Sequence, residues 1–375
     1  MITTAGLIDA HSHLRSTALR DHGVVGSCLE EAILRMNAMT GVDAYQDAFV
    51  ASCNALLEGI TGIQVIFHTF GSADHYLETL DATIKGIERA GIRAQIILAM
   101  TDQYEFLPSR LEGSFALPSF IDPGRRMPAA EFASLFYEAR RRHPGHDLGI
   151  GPVGPQWCSD SLLETISNIA AAGLRIHTHC LESAAQRNWI EESPIARLAR
   201  FELLGPKTSL AHAVWLDDAE LHLVKESGTA LVTCPHSNQQ LKAGKADLAA
   251  WQRHGINFGI GFDSIGLPIS PYAVAKSALG KEDAMDALIE GGTAATGLQT
   301  QSDRVTFSDQ ELTTIEDVTV DGNPCVVSRR HYLHDELEMT RSEIAERMET
   351  DSRERARRQG EIEAVITSYL SALTA

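Results

Sequence analysis

LRIHTHC (174–180), TSLAHAV (208–214), TALVTCP (229–235) and INFGIGFD (256–263) are four short apolar runs whose starts lie 34, 21 and 27 residues apart. Each reads as a β-strand by its length and β-branched content, and each gives way to polar residues at its C-terminal end. The stretches between them are helical in pattern. Asp217 with Glu220 has capping-box spacing at the start of one helix, as does Ser161 with Glu164 just upstream. Gly173 and Gly228 each close a helix shortly before the next strand, as Gly59 and Gly91 do earlier.

The alternation extends back to the start of the chain. GLID (6–9), GIQVIF (62–67), IRAQIILAM (92–100) and DLGIGPV (147–153) supply four more strands. LEEAILRMNAM, DAFVASCNALLEG, YLETLDATIKGIERAG and AAEFASLFYEARRR supply helices between them, with a long Pro-, Gly- and Arg-rich excursion before the last. Eight strands with intervening helices predict an α/β fold, a closed (β/α)8 TIM-like barrel. An open doubly wound sheet is the alternative, and no GxGxxG follows a strand to support it. The barrel is expected over residues 1–300. A reduced C-terminal β element with a turn at Asp321-Gly322 is expected over 301–338, and a C-terminal helix over 339–375. Ile344, Met348, Ile362, Val365, Ile366 and Leu370 are the apolar points of that tail, which reads as a helix packed on the body or offered to a second subunit. A homo-oligomer, a dimer, is the expected assembly.

Fifty acidic residues against 32 basic ones give a formal charge of −18, which disfavours nucleic acid and anionic membranes as partners. A hydrophobic fraction of 44% suits a substantial core. The six cysteines show no CxxC and no regular spacing, a reduced pattern. No charged leader with an apolar core and no membrane-spanning run is evident, so the chain is expected to be cytoplasmic.

In a barrel the C-terminal strand ends surround one mouth, where chemistry sits. The first strand runs into His11 and His13, which share a face because residues two apart on a strand point the same way. Strand five ends with His177, His179 and then Glu182, strand six with His212, strand seven with TCPHSN and strand eight with Asp263. Each histidine alone is more often structural than a ligand. Imidazoles and a carboxylate at the same end of strands one, five, six and eight are a different matter. Three imidazoles and one carboxylate suit one divalent cation, Zn2+ or alternatively Fe2+, with a position left for water. Metal-assisted hydrolysis is the reaction that such a set implies.

The ordered set GLIDAHSHL, HTHCLES, SLAHAVWLDD, TCPHSN and GIGFD resembles the amidohydrolase superfamily over residues 5 to 300, in particular the branch of cytosine, guanine and adenosine-type deaminases and triazine hydrolases. The resemblance implies that His11, His13, His179 and Asp263 hold one metal, that Glu182 shuttles a proton, and that His212 hydrogen-bonds the water or substrate. Asn238 of the TCPHSN loop would be structural, and His177 would support its neighbours from behind. Two-metal relatives bridge their ions with a carboxylated lysine at strand four. No lysine lies between Lys85 and Lys207, so a single metal is expected. Relatives also carry a longer segment before the first barrel strand, which forms a β-sandwich with C-terminal residues. Here either that sandwich is reduced to residues 305–335 or the natural start lies upstream.

A small-molecule heterocyclic substrate is the expected partner. Arg15, His68, Gln103, Gln156, Trp157 and His177 are the candidate substrate contacts, with Thr69, Asp102 and Tyr104 beside them. Arg15 suits a substrate carboxylate or a loop acid. The expected function is deamination of an amino-substituted purine, pyrimidine, pterin or triazine-like ring. The metal and His212 would orient water, Asp263 or Glu182 would take its proton, and Glu182 would protonate the ring nitrogen. Ring opening of a cyclic amide or imidazolone is the second reading. A metal-binding interaction protein without catalysis is the third, and the presence of both Glu182 and Asp263 argues against it.

Overall fold

A computed structural model describes residues 1–374 except 25, 40, 107–117, 119–120, 122–125, 190 and 265–268. Most of the Pro- and Gly-rich excursion after strand three therefore lies outside the described residues, as do Leu107 and Pro108 of the TDQYEFLP segment.

Eight strands form one parallel sheet in sequence order: β2 (Leu7–Ser12), β3 (Ile60–Phe67), β4 (Arg93–Met100), β5 (Asp147–Pro152), β6 (Ile176–Cys180), β7 (Thr208–His212), β8 (Ala230–Thr233) and β9 (Phe258–Ile260). Both faces of these strands are covered, which is why they read as continuous apolar runs rather than alternating ones. Helices follow the strands as the pattern required. Asp217 caps Asp218–Ser227 in a full capping box with Glu220, and Gly91 and Gly228 end their helices in the left-handed conformation. The expected Ser161–Glu164 box is displaced. Ser159 caps that helix, accepting the Leu162 N–H, because Asp102 fixes Ser159 through its backbone N–H at 2.7 Å and its hydroxyl.

The ring closes between first and last strands. Ser12 and Asp263 form a parallel bridge, the His11 carbonyl accepts the N–H groups of Phe262 (3.1 Å) and Asp263 (2.8 Å), and the His13 N–H reaches the Asp263 carbonyl at 3.2 Å. The buried Asp9 carboxylate reinforces this seam by accepting the N–H of His11 at 3.1 Å and of Phe262 at 3.0 Å.

A second, antiparallel sheet shares the core of the ring, in the order β1 (Ile2–Thr4), β10 (Arg304–Phe307), β11 (Ile315–Val320), β12 (Asn323–Val327) and β13 (Arg330–His331). Asp321 and Gly322 both have positive φ, 50° and 78°, and turn β11 into β12 as a two-residue hairpin. Two boundaries differ from the sequence expectation. Residues 2–4 join this sheet, where a barrel beginning at residue 1 was expected, and the last helix (His334–Thr374) starts five residues before 339. The three residues of β1, two exposed and one half-buried, carry no apolar pattern that could have revealed their pairing.

The last helix, about 60 Å long at the usual rise, packs on its own chain at both ends. Leu337 and Ile344 meet Phe49 and Val50 on the helix Ala44–Leu57. Ile362, Ile366 and Tyr369 enter a core with Leu29, Ile33 and Trp157 at the barrel mouth. Among the described residues no helix is long and apolar enough to cross a membrane. Ile366→Ala empties part of the core at the mouth and should lower the unfolding free energy by about 2–4 kcal/mol in a denaturant titration. A cost near zero would mean that the helix is undocked in solution.

Candidate metal centre and active site

Strand β2 delivers His11 and His13 to the mouth, β6 delivers His179, β7 ends at His212, and Asp263 follows β9. His212 (φ 67°), Asp263 (φ 58°), Leu14 (φ 53°), Leu181 (φ 47°) and Ala213 (φ 47°) are all left-handed without being glycine. Such residues cost about 1–3 kcal/mol each and persist where surrounding structure over-determines them. Here the strands turn sharply as they leave the barrel, and the turn aims the side chains inward.

The imidazoles are oriented from behind. His179 Nδ1 donates to the Val153 carbonyl at 2.7 Å, His212 Nδ1 to the Asn238 amide oxygen at 2.8 Å, and His11 Nδ1 to His177 Nε2 at 2.7 Å. With each Nδ1 serving as donor, the Nε2 atoms of all three carry lone pairs. His11 Nε2 and His212 Nε2 are buried with no hydrogen-bond partner among the described residues. His13 Nε2 lies 3.1 Å from His179 Nε2, and Asp263 Oδ1 lies 3.4 Å from His13 Nε2 and 3.8 Å from His11 Nε2.

These separations fit a shared cation. A tetrahedral zinc with bonds of 2.0–2.1 Å holds its ligand atoms roughly 3.4 Å apart. Burial lowers the pKa of His11 and His13 well below the ordinary range and brings His179 down to about 4, so the rings are neutral and ready to ligate. Ser237 and Ser264 donate their hydroxyls to Asp263, which fixes both of its oxygens. Cys234 also approaches His11 and His212, but burial pushes its thiol far up, and a neutral thiol is a poor ligand.

Glu182 faces the same space, with Oε2 3.6 Å from His212 Nε2. Burial, then the charges of Asp263 and Glu30, raise its pKa well above the usual carboxyl value. The arrangement thus sets a neutral acid beside a cluster of neutral bases.

The cavity over these groups is lined by His13, His179, Glu182, His212 and Asp263 on its floor. Of the candidate substrate contacts, Arg15, His68 and Trp157 line it. Gln103, Gln156 and His177 do not. Gln103 joins the β5 loop through its backbone, its N–H donating to the Trp157 carbonyl at 3.2 Å, and Gln156 is fully buried under the wall. His177 sits behind His11. Position at a strand end gave these side chains the right height but not the right direction.

Sequence reasoning missed the outer wall. Leu29, Ile33, Met36 and Asn37, on and just after the helix Leu29–Met36, close one side together with Leu19, Phe70, Glu105 and Leu241. Burial brings Glu105 up to about 7, and His68 Nε2 stands 3.8 Å from its carboxylate.

The amidohydrolase family model matches residues 2–311. The chain belongs to the amidohydrolase family. This amidohydrolase is 26% identical to a 5'-deoxyadenosine deaminase of Methanosphaera stadtmanae over 70% of its own length and 58% of that protein. It is 28% identical to a 5-methylthioadenosine/S-adenosylhomocysteine deaminase of Archaeoglobus fulgidus, covering 69% and 58% of the two chains. The chain thus spans somewhat under three-fifths of the length of these relatives. Among solved structures, a zinc-bound adenosine deaminase of Xanthomonas campestris superposes with a TM-score of 0.73 at 20% identity, over 93% of this chain and 86% of the other. An atrazine chlorohydrolase of Arthrobacter aurescens, complexed with zinc and atraton, gives 0.74 at 19% identity over 92% and 88%. At that identity the likeness establishes the fold.

Zinc supplied at about a hundred times its dissociation constant should raise the unfolding free energy by about 2.7 kcal/mol. His13→Ala and His179→Ala should lose most of this gain in thermal melts with and without a chelator. A wild-type melting temperature indifferent to zinc would contradict the cation seat.

Proposed function

We propose that this chain is a metal-dependent aminohydrolase that removes an amino group from an N-heterocycle, with one zinc ion held by His11, His13, His179 and Asp263. The observation that carries the reading is the convergence of Nε2 of His11, His13 and His179 on Asp263 and one another, beside a Glu182 carboxyl that burial pushes toward its neutral form. The deaminase relatives supply the substrate class, which is an amino-substituted purine or a ring like it.

Bound there, the cation supplies a lowered water pKa and an electrostatic sink for charge developing on the substrate. The residues supply the rest. His212, with Nδ1 tied to Asn238, offers Nε2 as an acceptor and keeps a fixed orientation toward the attacking water. Asp263 lies within reach of His11 and His13 and is the base for the water's proton. Glu182 gives its carboxyl proton to the ring nitrogen and regains one from the added hydroxyl as the carbonyl forms, while the water proton taken by Asp263 leaves with the departing amine. A cation close by works against the rise in its pKa, so Glu182 can both give and regain a proton. Trp157 and the Leu29–Met36 wall keep bulk water away from the ring.

Glu182→Gln should leave zinc binding nearly intact while ammonia release falls by about a hundredfold or more. The measurement is an ammonia assay across a panel of amino-purines, amino-pyrimidines, amino-pterins and amino-triazines. Turnover without ammonia would favour ring opening. Full activity in the variant would remove Glu182 from the mechanism.

Arg15 refines the substrate class. Its guanidinium lines the cavity beside His13, and its Nε is buried without an acceptor among the described residues. A carboxylate on the substrate would satisfy it. Arg15→Gln should raise KM for a carboxylate-bearing amino-heterocycle by about ten- to a hundredfold, with little change in kcat or in KM for the neutral parent ring. Equal loss on both substrates would assign Arg15 to the structure of the mouth.

A further inference from the structure

Barrels of this architecture fill their interiors mainly with branched aliphatic side chains. Below His11, this one buries a row of polar groups. His11 Nδ1 meets His177 Nε2 at 2.7 Å, and His177 Nδ1 meets the Ser209 hydroxyl at 2.8 Å. The Ser209 hydroxyl donates to Gln64 Oε1 at 3.3 Å, Gln64 Nε2 donates to Gln95 Oε1 at 2.6 Å, and Gln95 Nε2 donates to Asp147 Oδ2 at 2.8 Å. His11, His177, Ser209, Gln64 and Gln95 are all buried, and Asp147 lies exposed at the first residue of β5, the end of the barrel opposite the mouth.

The direction of this row follows from its last member. An ionised carboxylate only accepts, so Gln95 must turn its amide nitrogen toward Asp147 and its oxygen toward Gln64. Gln64 must then present nitrogen to Gln95 and oxygen to Ser209. The Ser209 hydrogen goes to Gln64, which leaves an oxygen lone pair facing His177. The Ser209 carbonyl, 3.1 Å from the same Nδ1, demands a proton there too. His177 Nε2 is therefore an acceptor, His11 Nδ1 must donate, and His11 Nε2 is left with the lone pair that faces Asp263 and the mouth. Every donor points the same way.

We propose that the row is a polarised positioning chain: anchored on Asp147, it holds His11 in the tautomer that offers Nε2 to the cation and strengthens that ligand. His177, Ser209, Gln64 and Gln95 are positioning residues. Two amide links carry no proton along the row, so it orients and polarises, each bond strengthening the next in a low-dielectric interior. The composition argues for a purpose. Buried amides are costly unless both ends are bonded, and aliphatic residues at 64 and 95 would fill the same space without that cost. The inference rests on the reading of His11 as a cation ligand, and the experiment separates the two.

The probe is Zn2+ alone, its dissociation constant measured by chelator competition on the full chain, alongside long-range nitrogen–proton NMR of imidazole-labelled, cation-free protein. The wild type should show His11 and His177 each protonated at Nδ1 alone. His177→Leu should weaken zinc binding by about ten- to a hundredfold and release His11 into mixed tautomers. Gln95→Leu and Asp147→Asn should weaken it by a smaller factor of at least about three. They should also shift the His177 Nδ1 resonance, which a merely space-filling role would leave in place. Asp147 is exposed, so Asp147→Asn decides the matter if Gln95→Leu does not fold. Folded Asp147→Asn protein with wild-type zinc affinity and unchanged imidazole resonances overturns the chain. A wild type that binds no zinc refutes the ligand reading, and the NMR arm then judges the chain alone: mixed tautomers at His11 in the wild type overturn it.

Discussion

The seam between β2 and β9 is the constraint on which the rest depends. Residues some 250 positions apart are joined there by backbone hydrogen bonds, with the His11 carbonyl taking two N–H groups and the Asp263 carbonyl a third. These are the residues whose side chains form the candidate cation seat. Closing the barrel and bringing an imidazole pair to a carboxylate are therefore one event. Asp9 belongs to the same event. Burial drives its pKa well above the ordinary range, while the two N–H groups it accepts pull the other way. A carboxylate buried at this depth holds the seam only because both strands donate to it.

From that seam the chemistry separates two acids by environment. Asp263 receives two serine hydroxyls and stands against His11 and His13. Glu182 donates its backbone N–H to the Gln186 amide oxygen, and burial, then the nearby charges of Asp263 and Glu30, push its carboxyl toward the neutral form. Two carboxyl groups in such different surroundings thus face one cavity. The imidazoles around them contribute lone pairs rather than charge, because burial and mutual repulsion hold them neutral.

The sequence displayed this much because parallel strands covered on both faces become short apolar runs, and the polar residues that end them collect at one mouth. His11, His13, His179, His212, Glu182 and Asp263 were legible for that reason. Where the chain leaves the strands, its pattern says less. Gln103 and Gln156 lie just past strand ends, yet neither lines the cavity, and Gln156 is fully buried, since the two-residue alternation of a strand says nothing about a turn. The wall helix Leu29–Met36 reads as an ordinary amphipathic helix facing a core, and only tertiary packing shows that its apolar face borders a cavity. Gln64 and Gln95 lie inside apolar runs and draw no notice until Asp147 is seen beside them.

The wall and the seat are held by different means. Strand geometry fixes the seat, and a one-residue shift would turn every ligand away from it. The wall is built largely on one short helix, and the outer face of that helix is held by the far end of the chain. Arg35 grips Glu31 within the helix and Glu363 on the last helix through paired hydrogen bonds, while Tyr369 donates to the Phe106 carbonyl at 2.5 Å next to the same cavity. Paired guanidinium–carboxylate contacts add direction to modest energy, and the apolar contacts of Ile362 and Ile366 add the energy. The tail therefore backs the outer side of the pocket through Leu29 and Ile33, away from the candidate cation seat. The floor of the pocket and its outer wall thus rest on separate parts of the chain.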